Sequence, residues 1–411
     1  MYALDVIKEA EAVLAKEFQY YEEIAYTNQV KILECFQKHK VRENNFHPAS
    51  GYGYGDYARD SLEAIYRDVF GGEDALVRSQ IVSGTHAIAS CLLGLLKPGD
   101  ELISIAGAPY DTLGKVIGKK QKIRGTIIEK GITYKEVALD DKGNPDLAAI
   151  KKQVTDQTAM VLIQRSKGYS LRPALSINTI KAMIDTVKEI NPNIIVVVDN
   201  CYGEFTENLE PPQVGADITA GSLIKNPGGG LAPSGGYIIG REDLVEEISY
   251  YLTAPGLGKD LGASLLNSRW LYQGLFMAPH TVLQAVKGAG LLAYIMEQNG
   301  FRVYPKWNEK RFDIVQAVEF NTPDEVLKFC QIIQSSSPID SDVHLEFALL
   351  PGYTDKVVMA AGTFVQGSSL ELSCDAPLRE PYCAYWQGGL TYEHVRLVIS
   401  RIIAWLSNSN K

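Results

Sequence analysis

The sequence predicts an α/β protein: a mainly parallel, seven-stranded sheet covered by helices on both faces, followed by a smaller α+β domain. Three observations carry this. Between residues 60 and 240, short β-branched runs alternate with stretches of helical period, the pattern of a parallel sheet buried on both sides. After Gly300 that alternation gives way to strand-like runs with few helices between them. Hydrophobic residues make up 46% of the 411 and charged residues 22%, the balance of a globular chain with enough core to need neither disulfide nor metal.

Each element follows in turn. Leu4, Ile7, Val13, Leu14, Ile24, Val30, Leu33 and Phe36 recur at roughly helical spacing among charged residues, predicting helix over 5–40 and a helical N-terminal segment over 1–50. From His47 to Tyr57 glycines alternate with tyrosines, which a helix does not hold well. An exposed aromatic loop, serving a site or an interface, is expected there. Candidate strands come at 75–82, 101–106, 134–137, 159–164, 194–199, 218–220 and 236–239, with candidate helices at 62–70, 87–96, 146–154 and 176–190. Residues 241–300 are again mostly helical, with a break at 256–259. Beyond them 314–320, 345–350, 356–360 and 369–373 read as strands, and 322–333 and 392–406 as helices. The large domain is expected at 51–285 and the small one at 286–411.

Composition narrows the partners. The net charge is −9 and no basic stripe stands out, so nucleic acid is not expected. No run of about 18 apolar residues occurs, so no membrane span is expected. None of the six cysteines forms a Cys-x-x-Cys pair and the six histidines are dispersed, which points to free thiols in a reducing compartment and to no metal site. The first residues lead into a Glu- and Lys-rich stretch unlike a signal or transit peptide, so a cytoplasmic protein is expected.

The chemistry is expected at carboxyl ends of strands, where open α/β sheets bind ligands. Ser83-Gly84-Thr85-His86 follows an apolar run and opens a helix-like stretch. Two hydroxyls and a close-approach glycine thus stand where free amides and the helix dipole would hold a phosphate; by itself the segment reads equally as an N-cap. Asp199 closes the run Val196-Val197-Val198, where an unpaired carboxylate is costly. It suits the protonated nitrogen of a pyridine ring, or caps the next turn. Lys225 follows Gly221-Ser222-Leu223-Ile224 and precedes Asn226, Pro227 and three glycines, small residues that let a backbone and a ligand approach closely. A lone lysine is a solvated side chain, but this one follows Asp199 by enough chain for a loop and one strand. A phosphate cradle, a carboxylate and a lysine in that order are what pyridoxal 5'-phosphate (PLP) requires. The lysine would form a Schiff base with the aldehyde and then shuttle a proton, for which its pKa should be lowered by its surroundings. Tyr110, in the loop after 101–106, is able to stack on the ring or is an ordinary loop tyrosine.

These residues resemble the fold-type-I, aspartate aminotransferase-like PLP enzymes. More narrowly they resemble the Cys/Met-metabolism family, which includes methionine γ-lyase and the cystathionine lyases, and within it the bacterial aluminium-resistance or methionine γ-lyase-related proteins. The motifs are Tyr57-Ala58-Arg59, Leu62-Glu63, Gly71-Gly72-Glu73-Asp74-Ala75-Leu76-Val77, Ser83-Gly84-Thr85-His86-Ala87-Ile88, Asp199-Asn200 and Ser222-x-x-Lys225. The resemblance implies a PLP-dependent carbon–sulfur lyase acting on a sulfur amino acid through an internal aldimine at Lys225. It implies that Ser83, Gly84, Thr85 and Ser222 hold the phosphate, Tyr110 stacks on the ring and Asp199 pairs with its nitrogen. Tyr57 and Arg59 would reach the phosphate of a neighbouring subunit, which implies a homodimer or homotetramer with shared active sites. Lys225, Tyr110 and Tyr57 would be catalytic, a tyrosine assisting the leaving group.

Two positions depart from the family pattern. Its Asn-Pro motif is replaced by Gln164-Arg165-Ser166-Lys167-Gly168-Tyr169, and its late Arg-Leu-Ser by Glu371-Leu372-Ser373. A glutamate cannot bind the substrate carboxylate, so Arg379 is expected to do so, unless it pairs with Glu380 at the surface. A PLP-dependent aminotransferase or aldolase, and a weakly catalytic PLP-fold protein with a metal-stress (aluminium resistance) role, remain as alternatives.

Overall fold

The computed structural model describes residues 2–119, 123–265, 268–350 and 353–409. The helices are α1 (Tyr2–Val13), α2 (Ala15–Lys38), α3 (Tyr57–Phe70), α4 (Gly84–Leu95), α5 (Asp111–Ile117), α6 (Leu147–Gln153), α7 (Ile177–Ile190), α8 (Glu242–Leu252), α9 (Arg269–Gln298), α10 (Pro323–Gln334) and α11 (Tyr392–Ser409). The strands are β1 (Asp74–Arg78), β2 (Glu101–Ser104), β3 (Thr133–Glu136), β4 (Thr158–Gln164), β5 (Ile195–Asp199), β6 (Ile218–Ser222), β7 (Gly236–Gly240), β8 (Arg302–Tyr304), β9 (Val315–Glu319), β10 (Ala348–Leu349), β11 (Lys356–Ala360), β12 (Ser373–Pro377) and β13 (Cys383–Gln387). Among the described residues no helix is long and apolar enough to cross a membrane.

The first seven strands form one sheet in the order β1-β7-β6-β5-β4-β2-β3. The pairs β2–β3, β2–β4, β4–β5 and β5–β6 are parallel, and β7 runs antiparallel to both its neighbours. Side chains alternate between faces along each strand. Leu162 and Val197 therefore pack with α4, α5 and α8, while Val161, Ile163, Val196 and Val198 pack with α6 and α7. This double burial is why these strands read as unbroken β-branched runs.

The remaining strands make an antiparallel sheet, β10-β11-β12-β13-β9-β8, whose inner face packs on α1, α10, α11 and the end of α9. Helix α9 is continuous from one core to the other. Leu275 to Val286 lie in the core with α2 and α3, and Leu291 to Met296 in the core of the second sheet.

Several expectations are corrected. The helix expected over 5–40 is two helices meeting at the fully buried Leu14. The strand expected at 369–373 is β12, which begins at Ser373; residues 369–372 are buried loop. Three elements escaped the sequence pattern. Helix α5 has seven residues including Gly114, β8 has three, and β13 is buried at every position, so it shows no alternation.

Candidate active site

The ends of β4, β5 and β6 and the start of α4 border one cavity of about 450 Å³. Ser83, Gly84, Thr85, Tyr110, Asp199, Ser222, Lys225 and Arg379 all line it. Tyr57 and Arg59 do not. Tyr57 is exposed at the start of α3, while the Arg59 guanidinium pairs with Asp60 and donates to the carbonyls of Gly53 (3.0 Å) and Gly262 (3.2 Å). The loop ahead of them turns on Gly51, Gly53 and Gly55, all with φ between 65° and 71°, and exposes Tyr52 and Tyr54.

The α4 end is built for an anion. Ser83 is extended and its hydroxyl accepts the His86 amide at 3.1 Å, so it caps the helix. The amides of Gly84 and Thr85 have no carbonyl one turn earlier to serve. A Cβ on Gly84 would lie 3.0 Å from Cys201 Sγ and 3.3 Å from Ser222 Cβ. Only glycine lets the helix mouth meet the end of β6 this closely. Ser222 Oγ accepts the Ile224 amide at 3.3 Å, leaving its O–H to donate. Thr85 Oγ1 and Tyr110 Oη share a hydrogen bond of 3.0 Å. Two free amides, two hydroxyls and a residue without a side chain fit a phosphate.

Asp199 ends β5 and is almost fully buried. Its Oδ1 accepts the Cys201 amide at 3.1 Å. Burial pushes its pKa up, and the Lys225 charge opposes this. Lys225 Nζ stands 3.7 Å from the centroid of the Tyr202 ring, a cation held over an aromatic face. Tyr202 has φ of 73°, a strained conformation for a tyrosine. Burial acts to lower the Lys225 ammonium, but Cys201, Tyr202, Asp199 and Tyr110 outweigh it and raise it well above the ordinary lysine value. The expected lowering is therefore corrected for the free amine: the Asp199 carboxylate and the aromatic face of Tyr202 favour its protonated form.

The three glycines after Lys225 also serve another purpose than expected. A Cβ on Gly228 would overlap the Leu223 carbonyl at 1.8 Å, and one on Gly229 would meet the Gly274 carbonyl at 2.2 Å. Gly229 thus lets the lysine turn pack on α9, while Gly228 lets the turn close on itself and Gly230 lets it meet Leu390. Asn226 fixes the same turn, its Nδ2 donating to the carbonyls of Tyr202 (3.0 Å) and Glu204 (2.9 Å).

Several lining residues had no role assigned from the sequence. Gln164 Oε1 accepts the Tyr110 amide at 2.9 Å and so positions that ring. Lys167 also lines the cavity; its Nζ donates to the Tyr304 carbonyl at 2.9 Å, and burial lowers its pKa to about 8. Tyr202, Tyr169, Tyr353 and Asp375 complete the wall. Arg379 Nη1 donates to Asp355 at 2.9 Å and Nη2 to the Tyr169 carbonyl at 3.1 Å, so its carboxylate partner is not Glu380. Glu371 is buried and accepts the amides of Phe364 (2.7 Å) and Val365 (2.9 Å). It organises a loop, which accounts for a glutamate at that position.

Residues 3–407 match the methionine gamma-lyase family. The chain belongs to that family. The Bacillus subtilis (strain 168) protein YnbB is 52% identical to it over 95% of this chain and 93% of its own length. Among solved structures, a Listeria monocytogenes protein described as a candidate cystathionine beta-lyase involved in aluminum resistance is 50% identical. It covers 98% of this chain and 99% of its own, with a TM-score of 0.95. A Clostridium novyi NT carbon-sulfur lyase involved in aluminum resistance is 48% identical over 98% and 96% of the two chains, with a TM-score of 0.93.

Proposed function

We propose that this family member is a PLP-dependent carbon–sulfur lyase acting on a sulfur amino acid, as methionine γ-lyase and the cystathionine lyases do. One observation carries the reading: the free amides opening α4, the buried Asp199 and Lys225 converge on a single cavity. The relatives described as carbon–sulfur or cystathionine lyases support the same chemistry.

When bound, PLP supplies an electron sink for a negative charge at the substrate α-carbon. The chain's own residues do the rest. The amides of Gly84 and Thr85 and the Ser222 hydroxyl hold the phosphate, with Ser83 fixing the helix end. Lys225 would bind the coenzyme aldehyde through Nζ, and its amine would hold and move the proton of the substrate α-carbon. Asp199 would hold the proton on the ring nitrogen, and Tyr110, positioned by Gln164, would face the ring. Arg379 binds the substrate carboxylate at the cavity rim. Tyr110 or Tyr57 returns a proton to the departing sulfur. Tyr57 and Arg59 lie outside this chain's own cavity and serve the site of a second copy, with the Tyr52/Tyr54 loop at the interface.

The test is turnover. Purified protein with PLP and either cystathionine or methionine should release thiol and keto acid. Absence of release from any sulfur amino acid would remove the lyase claim. A stable loss of the visible absorbance on adding an amino acid, without thiol, would favour an aminotransferase.

A further inference from the structure

One charged group in the cavity has no part in the chemistry above. Asp375 sits at the middle of β12 and lines the cavity, while its neighbours Cys374 and Ala376 point into the core of the second sheet. The alternation of the strand thus aims a carboxylate into the cavity. Its Oδ2 accepts from Tyr169 Oη at 2.9 Å and from Gln387 Nε2 at 3.1 Å. Both donors are neutral, and among the described residues no cation forms an ion pair with it. A half-buried carboxylate so placed is costly unless a cation meets it. Burial pushes the Asp375 carboxyl up, opposed by the Tyr169 and Gln387 hydrogen bonds and by the charge of Lys225, whose amine lies over Tyr202 and is reserved for the coenzyme; a second cation would favour the ionised form.

The surroundings fit an ammonium. The Tyr169 and Tyr353 rings stack with centroids 5.9 Å apart and both line the cavity beside the carboxylate. Aromatic faces attract cations. Tyr169 also ties this group to Arg379, for its hydroxyl holds Asp375 and its carbonyl holds the guanidinium. A donor for a carboxylate and an acceptor for an ammonium are therefore fixed on one wall by the same tyrosine.

We propose that Asp375, with the Tyr169–Tyr353 pair, recognises a protonated amine on the leaving arm of the substrate. The preferred substrate is then a thioether joining two amino acids, such as cystathionine, rather than the methyl thioether of methionine. This rests on the lyase reading and extends it to a substrate class.

The experiment separates the two claims by using ligands without sulfur. Calorimetry on the PLP-loaded protein compares 2,7-diaminosuberate, the carbon analogue of cystathionine, with 2-aminosuberate, which lacks the second amine. The wild type should bind the diamine about tenfold or more tightly, the scale of one hydrogen bond to a charged group. Asp375→Asn should abolish that preference, and should lower the cystathionine-to-methionine ratio of kcat/KM by a similar factor, mainly through KM. Equal binding of the two ligands by the wild type would overturn the proposal, and so would a preference that survives Asp375→Asn. The wild-type comparison stands even if the variant does not fold. A diamine preference in a protein that cleaves no thioether would leave this site intact and remove only the lyase reading.

Discussion

Glu204 lies beneath the lysine turn and its ionisation should set the pH dependence of stability. The residue is fully buried; Oε1 accepts from Tyr237 Oη at 2.7 Å, and Oε2 has no hydrogen-bond partner. Burial pushes its pKa from 4.5 up to about 8, against the Tyr237 hydrogen bond. Between these two values the folded chain keeps a proton that the unfolded chain has lost. Stability is therefore fully present below the unfolded value and falls as pH rises towards the folded one, by about 1.4 kcal/mol per pH unit. The buried carboxyl then costs about 1 kcal/mol at pH 5 and about 4 kcal/mol at pH 8. Glu204→Gln keeps the shape and an oxygen for Tyr237 but cannot ionise. Equilibrium urea unfolding of both proteins at the two pH values, followed by tryptophan fluorescence, reads the difference and cancels every other titrating group. The variant should gain about 3 kcal/mol on the wild type between pH 5 and pH 8. A difference between the two proteins that stays constant with pH would refute the reasoning.

Two further substitutions test the cavity walls. Gly84→Ala forces a Cβ to within 3.0 Å of Cys201 Sγ, an overpacking of about 1–3 kcal/mol. PLP affinity measured by absorbance titration should fall about tenfold, and adding Cys201→Ala should recover part of it; unchanged affinity would place the phosphate elsewhere. Glu371→Ala removes the acceptor of the Phe364 and Val365 amides, at about 0.5–1.5 kcal/mol for each hydrogen bond lost. Hydrogen exchange at those two amides should accelerate and the thermal midpoint should fall, whereas unchanged exchange would show that the carboxylate does not hold the loop.

The sequence revealed what is written locally. The central strands β4 to β7 stand out because both their faces are buried, and Asp199 and Ser222 stand out because they end β5 and β6, with Lys225 in the turn that follows. What stayed hidden depends on long-range packing. Tyr169, Tyr353 and Asp375 come from three separate segments, and only the approach of the second sheet brings them to one wall. The glycines after Lys225 look made for a ligand until Gly274 of α9 is seen against them. The lysine's own acidity is likewise a property of Asp199 and the tyrosines around it, which no local pattern contains.

The coenzyme link itself is the most direct test. Lys225 and Lys167 both line the cavity, and Lys167, with its pKa near 8, is the more readily deprotonated amine. Borohydride reduction of the PLP-loaded protein, followed by peptide mapping, should place the pyridoxyl group on Lys225. A pyridoxyl group on Lys167, or on no lysine at all, would contradict the account.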